Sequence, residues 1–159
     1  HSIDALRGKV VATPDKLAIV SMLGVGLLRN HGLQPGKDVE VRATTSHNSA
    51  VLSVQRGEVA AAVTSVTALK QMPDNLRNSV KELAITAQVP HLMFLAHSRI
   101  PTAEVDKIAR ILQEFAENSP EGKAFISDTG YVGLRKPAAG ELERLDPFVQ
   151  DLKNLINTR

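Results

Sequence analysis

Three times between Lys9 and Lys81 the chain passes from a short apolar run, through a polar break, into a segment with helically spaced apolar residues. This order constrains the fold more than any other feature. Strands separated by helices are joined by crossovers rather than hairpins, so they lie parallel in a sheet covered by helices. The first unit is a strand over Lys9–Thr13, a break at Pro14-Asp15 and a helix over Leu17–Asn30, with Leu17, Val20, Leu23/Gly24 and Leu27/Leu28 on one face. Asp15 stands where an N-cap is expected and Gly32 where a C-cap is. The second follows the turn Gln34–Asp38, with a strand over Val39–Ala43 and a helix over Asn48–Arg56 that stops at Gly57. The third is a strand over Ala60–Val63, a short helix over Val66–Gln71 and, after Pro73-Asp74, further helical turns over Asn75–Lys81.

Right-handed crossovers bring the carboxyl ends of such strands to one edge. Ligands of open α/β sheets bind beyond that edge. The loops concerned are Thr13–Lys16, Thr44–Asn48 and Thr64–Val66.

After Lys81 the pattern changes. Leu83–Gln88 and Leu92–Ala96 read as two strands in line, interrupted by Val89-Pro90-His91, as at a crossing between two lobes. Helices are expected from Pro101 with Val105, Ile108, Ile111/Leu112 and Phe115 on one face, from Ser119-Pro120 to about Asp128, and, broken at Pro147, from Glu141 to Ile156. The expected fold is therefore α/β. Residues 1–89 form one lobe with a mainly parallel sheet, and residues 90–159 form a mostly helical segment with one strand.

With 159 residues, 43% of them hydrophobic, the chain can bury a real core. Its 19 basic and 17 acidic residues leave a net charge of only +2, spread along the sequence, and aromatics are 3% with no Trp. A nucleic-acid surface needs a basic stripe and, for single strands, stacking aromatics, so that class of partner is not expected. Absence of Cys excludes disulfides and thiolate metal sites. The apolar stretch Leu17–Leu28 is broken by Ser21, Gly24 and Gly26 and falls short of a membrane span. The opening His1-Ser2-Ile3-Asp4 reads as an internal start, with any signal sequence upstream.

Catalytic constellations are not found. Ser46 and His47 are adjacent, so their side chains diverge, and there is no G-x-S-x-G elbow. The five His residues show no H-x-x-x-H spacing. His31 and His97 flank element ends, and His91 lies at the crossing. Gly24-x-Gly26 falls inside a helix, where close packing accounts for it better than a dinucleotide fingerprint. No enzyme activity, cofactor or metal is expected.

Three stretches in order carry a family resemblance. Ile3-Asp4-Ala5-Leu6-Arg7-Gly8-Lys9 resembles a "DLRGK" opening of a second lobe. Ser46-His47-Asn48-Ser49-Ala50, followed by Gly57-Glu58-Val59-Ala60-Ala61, is similar to an "SH-x-x-A" helix and its "G-E-V-D-A" sequel. The Pro90-His91 junction and Pro120-Glu121-Gly122-Lys123 complete the set. Together they resemble the periplasmic phosphate/phosphite/phosphonate-binding proteins of ABC transporters. The resemblance implies a two-lobed, Venus-flytrap fold, with residues to about Gln88 in the second lobe and residues from about His91 returning to the first, here incomplete, lobe. It implies a small anionic ligand in an interlobe cleft, a membrane permease as partner, and a periplasmic or membrane-anchored extracellular location. A ligand-sensing domain of a signalling protein is the rival reading, and an enzyme the more distant one. Where phosphonate binders of the family carry a Ser/Thr-rich turn, this chain reads Asp15-Lys16-Leu17-Ala18-Ile19, and Ala60 replaces an acidic residue. Hydroxyls are thus lost at the first helix start while its N–H groups remain.

The candidate ligand-binding residues are Thr13, Asp15, Lys16, Ser46, His47, Asn48, Thr64 and Ser65. A helix N-terminus favours an anion, and Ser46 and His47 can add a hydroxyl and a ring N–H. The alternative for Ser46 is an ordinary N-cap, with His47 exposed. Lys16 is either an anion partner or a solvated lysine beside a capped helix, and Thr64-Ser65 is either part of the edge or a cap. The apolar faces of the tail, with Ile108, Leu112, Phe115, Phe125 and Phe148, need cover, and a homodimer would supply it.

Overall fold

The computed structural model describes residues 2–89 and 93–157. A 3₁₀ turn at Ile3–Leu6 leads into β1 (Val10–Thr13), followed by α1 (Ile19–Asn30), β2 (Glu40–Ala43), α2 (His47–Gln55) and β3 (Ala61–Ala62). Both neighbours of β1 run parallel to it, in the order β2-β1-β3. Val11 stands between Val41 and Ala61, and Ala12 between Arg42 and Ala62. Bonds from Ala60 N–H to the Val10 carbonyl (2.9 Å) and from Val63 N–H to the Ala12 carbonyl (2.8 Å) extend the short β3 ladder at both ends. The α/β expectation and the parallel sheet therefore hold.

Residue alternation decides which helix covers which face. Val11, with Val41, Ala61 and Val63, packs with Leu27 and Leu28 of α1 and with Ile3 and Leu6. Val10, Ala12 and Ala62 turn the other way, onto Ala50 and Val54 of α2. Consecutive residues of β1 are thus buried on opposite faces, Val11 at 2% and Ala12 at 0% exposure, as expected of a central parallel strand.

Local chemistry sets the helix ends. Gly32, at φ 69°, ends α1: its N–H meets the Arg29 carbonyl and Leu33 N–H meets the Leu28 carbonyl, both at 2.9 Å. Only glycine adopts that left-handed conformation without a Cβ penalty. At the start of α1 the expected cap is displaced. The helix begins at Ile19 with Ala18 in the cap position. The Asp15 carboxylate instead accepts Leu17 N–H at 2.7 Å, forming an Asx-type turn ahead of the helix. Of the two interior glycines only Gly24 is closely packed, against Val63; Gly26 has open space where a Cβ would lie.

Two short helices follow, α3 (Val66–Lys70) and α4 (Asp74–Arg77). The latter ends well before Lys81. Asn78 and Ser79 favour local side-chain bonds over helix, and the Ser79 hydroxyl donates to the Leu76 carbonyl at 2.6 Å. Met72 and Leu76 pack with Val51 of α2.

The two strands expected around Pro90 are not seen among the described residues. Residues 83–89 and 93–96 carry no strand pairing, and Ile85, Phe94 and Leu95 are 62%, 71% and 85% exposed. Pro90, His91 and Leu92 lie outside the described residues. A β pattern supplies strand propensity, but a strand also needs a partner edge for its N–H and C=O groups. Among the described residues no backbone bond joins 83–89 to β2 or β3.

The chain divides into two compact units, His1–Gln88 with Pro147–Arg159, and Val89–Asp146. The second contains α5 (Thr102–Asn118) and α6 (Pro120–Thr129), joined at Ser119, whose hydroxyl accepts Gly122 N–H at 2.8 Å. Gly130, at φ 73°, closes α6. Ile108, Phe115 and Phe125 are exposed there, and Leu112 is half-buried. Further along, a 3₁₀ turn Glu143–Leu145 precedes α7 (Asp146–Asn157), with Pro147 in its first turn and Phe148 half-buried.

Candidate ligand site at the carboxyl edge of the sheet

The carboxyl ends of β1, β2 and β3 open onto Pro14–Ala18, Thr44–Ser46 and Val63–Ser65. Helices α1 and α2 leave on opposite faces, so the strand order reverses beside β1, the arrangement at which α/β sheets form a crevice. Thr44 ties two of the loops together: its N–H and its hydroxyl both donate to the Thr13 carbonyl, at 2.8 and 3.0 Å. Thr13 itself is 2% exposed, so it supports the edge from within.

Ser46 caps α2, its Oγ accepting Ser49 N–H at 3.1 Å. The same Oγ lies 3.0 Å from the Ser49 hydroxyl, which in turn lies 3.2 Å from that of Thr45. The capping reading of Ser46 therefore holds, and a row of hydroxyls is gathered at the start of α2. His47, the first residue of that helix, turns away toward β3. Its Nδ1 lies 3.0 Å from Thr64 Oγ1, and Ser65 N–H donates to it at 3.4 Å. Ser65 Oγ meanwhile caps α3 by accepting Ala68 N–H at 3.1 Å. His47 is half-buried, not freely exposed, while Asn48 stands exposed on the first turn of α2.

The structure thus bonds His47 to Thr64 and Ser65, while Ser46 bonds Ser49 at the start of α2, with Asn48 exposed beside it. Asp15 and Lys16 lie in the loop after β1, both exposed, and no described bond joins them to these residues. Asp15 is engaged with Leu17, and no described ion pair reaches Lys16.

A cavity of about 300 Å³ reaches the edge at Thr13 and Lys16. Met22, Val25 and Val41 give it apolar walls, and Arg29, Asp151 and Asn154 line it with polar groups. Arg29 and Asp151 approach to 4.0 Å. The sequence reading missed this α7 contribution, because only packing brings positions so far apart into one wall. A hollow of about 450 Å³ lies at the opposite edge, lined by Gly8–Val10 and Pro35–Val41. Asp38 anchors that edge. The Gln34 N–H bond, then the charges of Arg7 and Lys37, hold its carboxyl below the usual range against some desolvation.

Among the described residues no group of three or more His, Asp or Glu side chains is placed to hold a metal, and no helix is long and apolar enough to cross a membrane. The features that remain are helix N-termini, hydroxyls and one imidazole at a sheet edge.

Comparison with known protein families matches residues 1–141 to the family described as "ABC transporter, phosphonate, periplasmic substrate-binding protein". The chain belongs to that family. It is a substrate-binding protein of a transport system and not an enzyme, and its family places it outside the cytoplasm. A search of curated proteins finds no match. The matched stretch covers the whole sheet, its carboxyl edge, and α5 and α6.

Proposed function

We propose that this chain binds a small phosphate- or phosphonate-like anion at the carboxyl edge of the β2-β1-β3 sheet and delivers it to the membrane permease of an ABC uptake system. The edge forms one wall of an interlobe cleft, and a second lobe supplies the facing contacts. The observation that carries this reading is His47. It sits in the first turn of α2, where N–H groups and the helix dipole favour negative charge, and its ring is held by Thr64 and Ser65. Ser46, Asn48 and Ser65 add donors beside it, Thr64 holds the ring from behind, and Thr13, Asp15 and Lys16 form the neighbouring loop. The start of α1 lacks hydroxyls at Lys16-Leu17-Ala18. The N–H groups of Leu17 and Ala18 are taken by Asp15, so that loop contributes the Lys16 ammonium, and the apolar walls beside it suit a ligand with an organic substituent.

Calorimetric titration with phosphate, phosphite, methylphosphonate and an uncharged analogue tests the reading. Binding confined to the anions is expected. A hydrogen bond to a charged group contributes about 1.5–3 kcal/mol, so His47→Ala should weaken binding by about one to two decades. Equal affinity of wild type and His47→Ala would remove His47 from the site, and turnover of any titrant would contradict a pure binding role.

A further inference from the structure

We infer that Thr64 is a positioning residue: its bond to Nδ1 of His47 fixes the imidazole as the tautomer that carries its hydrogen on Nε2, so that the ring meets the ligand as a donor. The inference rests on the site proposed above for its functional consequence, but its structural half stands on geometry alone. Ser65 N–H is a backbone donor and cannot reverse its role. It donates to Nδ1 at 3.4 Å, so Nδ1 must be an acceptor. A neutral imidazole has one donor and one acceptor nitrogen, and its hydrogen then belongs on Nε2. The Thr64 hydroxyl can rotate to donate or accept. At 3.0 Å from an acceptor Nδ1 it must donate, and it lies closer than the Ser65 nitrogen.

Thr64 and Ser65 come from the loop after β3, whereas His47 comes from the start of α2. The bond therefore also fixes the ring's direction relative to the sheet edge. Neither partner is assigned a ligand contact in this inference. Their effect on affinity passes through the ring, in the way that groups behind a metal-bound histidine set its tautomer and orientation. A donor at Nε2 suits an oxyanion, which accepts only, and disfavours a ligand that would itself donate to the ring.

Two measurements on the full chain test this. Nitrogen-15 NMR of the ligand-free protein reads the His47 ring directly. The expected spectrum shows an unprotonated Nδ1 and a protonated Nε2 in wild type and in Thr64→Ser, with averaged or multiple ring environments in Thr64→Val. A protonated Nδ1 in the neutral ring of the wild type overturns the inference. The second measurement is calorimetry with methylphosphonate. Loss of one neutral hydrogen bond should weaken binding by about three- to tenfold in Thr64→Val. Thr64→Ser should restore it, and adding Thr64→Val to His47→Ala should cost nothing more, because the effect acts through a ring already removed. An equal loss from Thr64→Val in both backgrounds would show that Thr64 acts independently of His47 and would overturn the positioning role. If methylphosphonate binding is unaffected by His47→Ala, the proposed site fails while the NMR result still decides the His47–Thr64 arrangement.

Discussion

Gly24 and Gly26 lie two residues apart in α1, yet substitution by alanine should have opposite effects. A Cβ on Gly24 would lie 2.5 Å from Cγ2 and 2.9 Å from Cγ1 of Val63, while one on Gly26 would meet nothing within 4 Å. Both substitutions gain about 0.8–1.0 kcal/mol of helix propensity. Gly26→Ala keeps that gain. Gly24→Ala sets it against overpacking, which typically costs about 1–3 kcal/mol. The propensity gain is common to both variants, so their difference isolates the clash. With a urea slope of about 1–3 kcal/mol per molar, the two midpoints should separate by roughly 1 M. Gly24→Ala should also carry a functional signature. Val63 directly precedes Thr64, so displacing it should loosen the Thr64–His47 contact and weaken anion binding, whereas Gly26→Ala should leave binding unchanged. Equal midpoints, or equal binding losses, would refute the packing argument.

Ser46→Ala removes the cap of α2 and should cost about 0.5–2 kcal/mol in a denaturant titration, whatever the ligand result. In the second unit, Arg135 and then Ala138 N–H hold the Glu141 carboxyl down at about 2 from its usual value near 4.5. A depressed folded value means the stabilising contribution is complete above about 4.5 and is lost as pH falls through about 2. Glu141→Gln should remove that acid-side dependence, read by circular dichroism between pH 5 and pH 2; an unchanged profile would show that the pair is not coupled to folding. The exposed Ile108, Ile111, Phe115 and Phe125 predict self-association that grows with concentration. Light scattering checks this, and a monomer at the highest concentration would argue against it.

The sheet and its edge were legible because their signals are local. Strand and helix periods, the Gly32 and Gly57 stops and the Ser46 cap each depend on a few consecutive residues, and β1, β2, α2, both stops and the cap appear within a residue of where the sequence placed them. The Asp15 cap shifted because Asp15 bonds Leu17 N–H in a preceding turn, which delays the helix to Ile19. Among the described residues, the strands expected at 83–88 and 92–96 are absent for a different reason. An apolar alternation reports what a segment could pair as, not whether an edge is there to pair with. The bond between His47 and Thr64 depends on how α2 and β3 meet, so sequence placed both residues at the edge without joining them. The α7 wall of the cavity was illegible for the same reason.

The central claim is that an anion binds at the carboxyl edge of the sheet. Amide chemical-shift mapping of the nitrogen-15-labelled protein during titration with methylphosphonate tests it most directly. The account predicts saturable shifts concentrated at Lys16–Ile19, Ser46–Ser49 and Thr64–Val66, diminished together in His47→Ala. Saturable shifts centred instead on the opposite edge, at Gly8–Val10 and Pro35–Val41, or no saturable shift at all, would contradict it.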